Sequence, residues 1–372
     1  MIRVEEINEI VDLVRRRPAW TALLGQTSDA SFFQTLEWLT VYWQHFGAGQ
    51  RLRALFVSDD SHPIGILPLA VRARQRGPMA VRALGYPLDD WGTFYGPIGP
   101  DPARILELGL EHIQRSPRDW DFVDLRFVAS DASEMTRTPL AMAGAGMTPS
   151  VGDQEIVALV DLAGDWDQYV TARGHKWRVN QRRSERKLAE LGAVTMVRYR
   201  PAGAVQGDDD PRWDLYDACE QIAQRSWQGT STNGTTLSHD RVRAFLRDAH
   251  AVAARAGAVD LCLLHVDGKP AAFIYNYHWQ GNVFGLRRGH DPAIGAAGAG
   301  SVLMGRVIED SFARGDQVFN LGSGYLDAKR RWLTRTVASQ SYSWFPPTNF
   351  KAQAVRLARA LRHLAGDRAA AL

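Results

Sequence analysis

The sequence predicts an α/β fold: two related halves, each a mixed β-sheet flanked by helices. Three observations predict it. Apolar runs of strand length recur, split by short polar turns. Segments between them carry helical spacing. A strand–strand–helix–strand order occurs twice, first within 51–128 and again within 261–321. At 372 residues the chain is also long for one core, which fits two units.

Taken in order, residues 1–25 read as a mostly helical lead-in. Ser31 to Phe46 reads as a helix with an aromatic face of Phe32, Phe33, Trp38, Tyr42, Trp43 and Phe46. Arg51–Val57 and Ile64–Val71 read as paired strands around a polar turn, and Val81–Gly85 as a further short strand. A Pro/Gly/aromatic loop covers 86–102. The helix Pro102–Gln114 and the strand Phe122–Val128 follow. Between the halves lie a strand, Glu155–Leu162, and a basic helical segment, Ala172–Leu191. Asp208, Asp209 and Asp210 mark a surface loop. Residues 212–256 read as helices around a Gly/Ser/Thr/Asn loop at 229–238.

In the second half, the strands Leu261–Val266 and Ala271–His278 flank the turn Asp267-Gly268-Lys269-Pro270. A third run, Asn282–Leu286, leads to the small-residue loop Gly295–Gly300, a helix at Ser301–Ala313 and a strand at Val318–Leu321. The segment 350–365 reads as a basic amphipathic helix, with Ala354, Leu357, Ala358, Leu361, Leu364 and Ala365 as its apolar face. The expected units are 1–150, 151–349 and this final helix, 350–372.

Composition narrows the function. Apolar residues make up 45% and charged residues 23%, as in a globular protein. A net charge of only +3 gives no global footprint for nucleic acid, so DNA is not an expected partner. The two cysteines, Cys219 and Cys262, offer neither a disulfide framework nor metal spacing, so no metal is expected and a reducing compartment is. No apolar run approaches the roughly 18 residues of a membrane span. The chemistry points to a cytoplasmic protein, at most peripheral to the inner membrane.

The loop before 301–313 is the strongest chemical signal. Small residues there leave the first backbone N–H groups of a helix open to an anion such as a pyrophosphate. The loop lacks the Lys-Ser/Thr of a P-loop and follows strands rather than a chain-initial βαβ unit, which disfavours a dinucleotide fold. Within Arg173–Lys187, Arg173, Lys176, Arg178, Arg182, Arg183, Arg186 and Lys187 surround the single acid Glu185, so that stretch could meet phosphates, an anionic substrate or an anionic lipid surface. His278 and His290 could titrate near neutral pH.

These motifs resemble the GNAT acyltransferase superfamily, in particular its CelD/BcsL-like branch, related to the FemAB/FemX transferases. The resemblance rests on Phe33-Gln34-Thr35-Leu36-Glu37-Trp38, Leu88-Asp89-Asp90-Trp91, Lys176–Gly192, Gly289-His290-Asp291-Pro292, Gly300-Ser301-Val302-Leu303 and Phe319–Gly324 with Lys329 and Trp332. It implies tandem GNAT-like domains. It also implies acetyl-CoA or acyl-CoA as co-substrate, held at Gly298, Ala299, Gly300 and Ser301. His290 and Asp291 become candidates for the base, Lys329 for holding the oxyanion and Tyr325 for protonating the thiolate. Asp90, Trp91, Lys176, Arg178 and His278 become candidates for binding substrate. Two positions depart from the pattern. The loop's usual first Arg or Gln is Gly295, and the branch's Asp after Gly-x-Gly and Tyr before the Lys are Tyr325 and Ala328.

The implied activity is direct N-acylation of an amine on a small molecule, lipid or saccharide, in envelope polysaccharide or lipid synthesis, sphingolipid and ceramide included. The alternatives are a FemX-like aminoacyl transferase, or a non-catalytic accessory protein of exopolysaccharide or cellulose synthesis.

Overall fold

The structure is a computed structural model that describes residues 1–76, 79–130, 136–231 and 234–370, the side chains of 76 and 363–370 excepted. The first half comprises β1 (Ile2–Ile7), α1 (Ile10–Arg15), α2 (Arg17–Gly25), α3 (Leu36–Phe46), β2 (Gln50–Asp59), β3 (His62–Arg76), β4 (Met79–Gly85), α4 (Pro102–Arg115), β5 (Phe122–Ser130) and α5 (Arg137–Gly144). The second begins β6 (Ser150–Asp161), α6 (Trp166–Thr171), α7 (His175–Ala189), β7 (Val194–Tyr199), α8 (Trp213–Arg225) and α9 (Asp240–Arg255). It continues β8 (Val259–Val266), β9 (Lys269–Trp279), β10 (Asn282–His290), α10 (Pro292–Gly295), α11 (Ala299–Arg314), β11 (Val318–Ser323) and α12 (Leu326–Arg330). The chain closes with β12 (Arg335–Trp344) and α13 (Phe350–Ala370).

Among the described residues the strands form one mixed sheet in the order β1-β2-β3-β4-β5-β12-β6-β11-β10-β9-β8-β7. The expected mixed sheet flanked by helices is therefore present, and its two halves are joined edge to edge. Each half has three consecutive antiparallel strands, a helix, and a strand that returns parallel to the third: β2-β3-β4-α4-β5 and β8-β9-β10-α11-β11. A helical crossover is what a parallel return requires.

Local chemistry sets the helix starts. Thr35 caps α3 by accepting from Trp38 N, and Asp101 caps α4 by accepting from Arg104 N, with Pro102 in the first turn. The helices then bury their apolar faces on the sheet. One core spans both halves: Phe33 meets Tyr277 edge-on, and Phe245 of α9 packs on Trp38, Phe46 and Trp91. A second core lies under α11 on the opposite face of β8–β11, with Ile274, Val302, Leu303, Val307 and Phe319.

The structure adds three strands and turns the last helix to another face. The mostly helical lead-in also holds a strand, Ile2–Ile7, paired along β2 from Ile2↔Asp59 to Ile7↔Ala54. β7 closes the other edge of the sheet. Edge strands carry charge and blur the alternation that marks a strand. β12 was unread, since its Ser- and Thr-rich sequence has little apolar signal, yet it pairs with both β5 and β6. The last chain-end strand is thus shared by the two halves. Finally, α13 packs through Ala352 and Val355 on Val81, Ala83, Phe122 and Phe345. Ala354, Leu357, Ala358 and Leu361 of the expected face are exposed, while Leu364 and Ala365 lie outside the described side chains. The buried Arg359–Asp124 ion pair, at 3.2 Å, and the Phe122–Phe345 stack select the other face. Among the described residues no helix is long and apolar enough to cross a membrane.

Candidate active site

The parallel pair β10/β11 holds together for only three residues: Asn282↔Val318, Val283↔Phe319 and Phe284↔Asn320. Beyond Phe284 the strands part. β10 also carries a register shift against β9 between Gly285 and Arg287, the kind of bulge that bends a strand and re-aims its side chains. Gly285 sits at the neck, where an added Cβ would come within 2.8 Å of the Asn320 carbonyl oxygen. Only glycine lets the two backbones approach this closely before they diverge.

The opening is a cavity of about 250 Å³. Ile274, Arg288, Met304 and Phe319 line it toward the α11 side; Phe33, Trp91, Thr235 and Thr236 line it toward α8 and α9. Its floor is the turn after β11, with Gly322, Ser323, Tyr325 and Lys329. Lys329 is 6% exposed, and its Nζ donates to the carbonyls of Gly322 (3.0 Å) and Ser323 (2.5 Å). Burial, with Arg288 nearby, lowers its pKa to about 8. Tyr325 takes a left-handed conformation (φ 45°) at the start of α12 and stands exposed on the rim.

The amino end of α11 lies at the same carboxyl-end edge of the parallel strands, directly after β10. Gly298 holds φ +87° there, and no side chain caps the helix. Ser301 N and Val302 N donate back to the Gly298 carbonyl, whereas the N–H groups of Ala299 and Gly300 find no partner among the described residues. These unpaired donors carry the positive end of the helix dipole. α7 supports the loop. Gln181 donates to the Ser301 carbonyl at 3.1 Å, Ser184 packs against Gly298, and Glu185 pairs with Arg306 at 2.8 Å.

Two clefts of this kind could exist, one per half, but the first is filled. β4 and β5 pair only at Ala83↔Phe122 and Leu84↔Val123. The loop after β4 then enters the gap, burying Tyr86, Leu88 and Tyr95, with Tyr95 N donating to the Phe127 carbonyl at 2.8 Å. The Asp101 carboxylate occupies the amino end of α4. A separate cavity of about 290 Å³ lies between the halves at the amino ends of β10 and β11, lined among others by Tyr95, Asn282 and Val318. It shares the walls Phe284 and Asn320 with the first cavity but not Lys329.

The residues singled out in the sequence fall into three groups. Lys329, Tyr325, Asp90 and Trp91 meet at the cavity. Asp90 is exposed and pairs with Arg126 at 3.2 Å; Trp91 is buried against Phe46 and Phe245. Gly298, Ala299, Gly300 and Ser301 form the open helix end, and the exposed His290 ring lies against Gly295 and Gly300 rather than in the cavity. The rest have structural partners elsewhere. Asp291 caps α10 through Ala293 N and pairs with Arg225 at 3.4 Å. His278 pairs with Asp316 at 3.3 Å beside the buried Arg200 cluster. Arg178 donates to the Thr171 and Arg173 carbonyls beyond α6, and Lys176 is exposed on α7. None of Asp291, His278, Lys176 and Arg178 lines the cavity. No cluster of three potential metal-ligating side chains occurs among the described residues.

Sequence reasoning missed Gly285, Arg287 and Arg288. A signal was present: a glycine followed by two adjacent arginines inside an otherwise apolar strand is abnormal for a strand meant only to pack.

Residues 175–330 match the family model described as the acetyltransferase (GNAT) domain. That match, over less than half of the chain, supports an acyltransferase. FemX shares the fold with a TM-score of 0.60 at 9% identity, over 92% of this chain and 97% of its own. The C-terminal DUF2156 domain of a protein described as a lysylphosphatidylglycerol synthetase, from Agrobacterium fabrum, gives 0.55 at 16% identity, over 95% and 97%. A conserved protein of unknown function from Bacteroides thetaiotaomicron gives 0.53 at 14%, over 92% and 100%. At these identities the likeness establishes the fold. No curated protein matches the chain.

Proposed function

We propose that the protein transfers an acyl group from acyl-CoA directly to an amine acceptor, a saccharide or lipid precursor of the cell envelope. The observation that carries this is the Lys329-floored cavity between the parted ends of β10 and β11, set beside the uncapped start of α11. Donor phosphates suit the N–H groups of Ala299 and Gly300. An extended amide-bearing arm suits the unpaired backbone edges beyond Phe284 and Asn320. The thioester then reaches the cavity from the α11 side, and the amine from the α8/α9 side.

The amine nitrogen attacks the thioester carbonyl carbon, a C–N bond forms, and the C–S bond breaks as the tetrahedral oxyanion collapses. Lys329 spends two of its three N–H donors on fixed carbonyls, which orients the third for the oxyanion. Tyr325 on the rim supplies a proton to the departing thiolate. Asp90 at the mouth draws in the cationic form of the amine, which gives one proton to water before attack; the proton released from nitrogen after attack replaces the one Tyr325 gives the thiolate. Ser301 holds its place through Gln181, keeping the phosphate cradle rigid. α7 packs along α11 instead of projecting as an arm, so no specific observation favours an aminoacyl-tRNA donor.

The test is a thiol-release assay with acetyl- and long-chain acyl-CoA against a panel of amino sugars and amino lipids, alongside titration of CoA into the protein. Micromolar CoA binding and amine-dependent thiol release are expected. Absence of CoA binding at millimolar concentration sinks the reading.

A further inference from the structure

The cavity holds three cationic side chains, Arg287, Arg288 and Lys329, and among the described residues no carboxylate pairs with any of them. The one acid among its described lining residues is Asp90, which is exposed and paired with Arg126. Arg288 projects to the α11 side, opposite Ile274 in the register, and its guanidinium meets no partner among the described residues. That position serves the donor. Arg287 faces the other way. Its register partner is Tyr275, whose ring packs with Tyr216 and His250 of α8 and α9.

Arg287 is aimed with care. Its Nε donates to the Thr235 carbonyl at 2.5 Å and its Nη1 to the Leu286 carbonyl at 2.5 Å. Its guanidinium carbon lies 5.9 Å from the Trp91 ring centroid. Two carbonyls and a ring orient the group without neutralising it. Burial lowers its pKa to about 10, and no carboxylate offsets this. Holding a guanidinium out of water without a counter-ion is costly, and the buried Arg198 and Arg53 avoid it: Arg198 pairs with Asp260 at 2.8 Å and Arg53 with Glu6 at 2.7 Å. A charge held open in a cavity awaits an anion from outside.

We propose that the acceptor carries an oxyanion, a phosphate or a carboxylate, besides its amine, and that Arg287 binds this group on the acceptor side of the cavity. This rests on the acyltransferase reading above. Asp90 and Arg287 then recognise opposite charges on one acceptor molecule. The acceptor class becomes an amino acid, an amino-sugar phosphate or an amine-bearing phospholipid headgroup, not a neutral amino sugar or a simple alkylamine.

Two measurements test it. The first titrates inorganic phosphate, and separately acetate, into wild-type, Arg287→Gln and Arg287→Lys proteins, with and without saturating CoA. Arg287-dependent anion binding is expected in wild type, abolished in R287Q and partly kept in R287K, with CoA affinity unchanged across all three. Anion binding that depends on Arg287 without any CoA binding leaves this site standing and sinks the donor assignment. CoA binding with anion affinity equal in wild type and R287Q does the reverse. The phosphate and acetate arms separate the two oxyanion classes. The second compares acceptor pairs that differ only in the anionic group, such as glucosamine against glucosamine 6-phosphate and ethanolamine against glycine. Wild type should favour the anionic member by about 10–100-fold in kcat/KM, and R287Q should level the pair. If R287Q does not fold, R287K carries the comparison, with a reduced preference expected. An equal rate for neutral and anionic acceptors in wild type overturns the proposal.

Discussion

At the residue scale, two positions carry the proposed chemistry. Lys329 is the oxyanion donor in this reading, so Lys329→Met should lower kcat by about 10²–10³-fold, roughly 3–4 kcal/mol of barrier, while CoA affinity holds. Its pKa of about 8 sets the pH profile. The charged form is needed, so activity should fall as pH rises through about 8. The stability effect has the opposite sense: the folded pKa lies below the ordinary lysine value, the unfolded chain holds more protons between about pH 8 and 10.5, and stability rises across that window. A pH–rate profile and thermal melts over pH 7–10.5 read both; a rate that keeps climbing to pH 10 contradicts the assignment. At the neck of the cleft, Gly285→Ala should cost about 1–3 kcal/mol, because its Cβ would press on the Asn320 carbonyl. It should weaken CoA binding as well, which a surface glycine would not. Lys329 was legible in the sequence because a lysine after a Gly-x-Gly turn stands out. Arg287 was not, because its meaning depends on which carboxylates are absent around it, and that is a fact of space.

Elements supply the rigidity behind those residues. β7, β8, α11 and β11 are tied by one buried ionic cluster. Arg198 meets Asp260 at 2.8 Å and Asp310 at 2.9 Å, and Arg200 meets Asp260 at 3.1 Å and Asp316 at 2.7 Å. Asp260 is held down to about 2 against the pull of its own burial, by Arg198 first and Arg200 next, and Asp316 is held lower still, chiefly by Arg200. Both carboxylates contribute stability that is fully present above the ordinary aspartate value of about 4. That contribution is lost as pH falls toward about 2. Denaturant melts should show a steep loss over that window, and Asp260→Asn should cost about 3–5 kcal/mol and remove much of the slope. A flat profile between pH 4 and 2 would contradict the cluster's role. The helix starts were readable at this scale: Thr35 and Asp101 are local signals. The open start of α11 was readable too, as a run of small residues. The filling of the matching cleft in the first half was not, because it depends on a loop folding back onto β5.

For the whole molecule, the filled first cleft and the open second one predict a single donor per chain. Calorimetric titration should give one CoA per protein, and two equivalent sites would contradict it. The position of β12 predicts a second outcome. A chain cut after Thr334 loses the strand that joins β5 to β6, exposing two long strand edges inside a continuous sheet. It should be insoluble or expanded by size-exclusion chromatography, whereas a cut after Arg362 should leave the fold and CoA binding intact.

The sequence by itself determined the elements whose signals are local: alternating strands, capped helices, the repeated strand–strand–helix–strand order and the glycine loop before α11. Those patterns follow from backbone sterics and from burial on one face, which each segment carries within itself. Only the tertiary structure decided which strands are neighbours, that β12 joins the halves, that the first cleft is filled, and that Arg287 faces a cavity without a counter-ion. Each of these depends on contacts between residues far apart in the chain, where pairing energy and desolvation outweigh local preference.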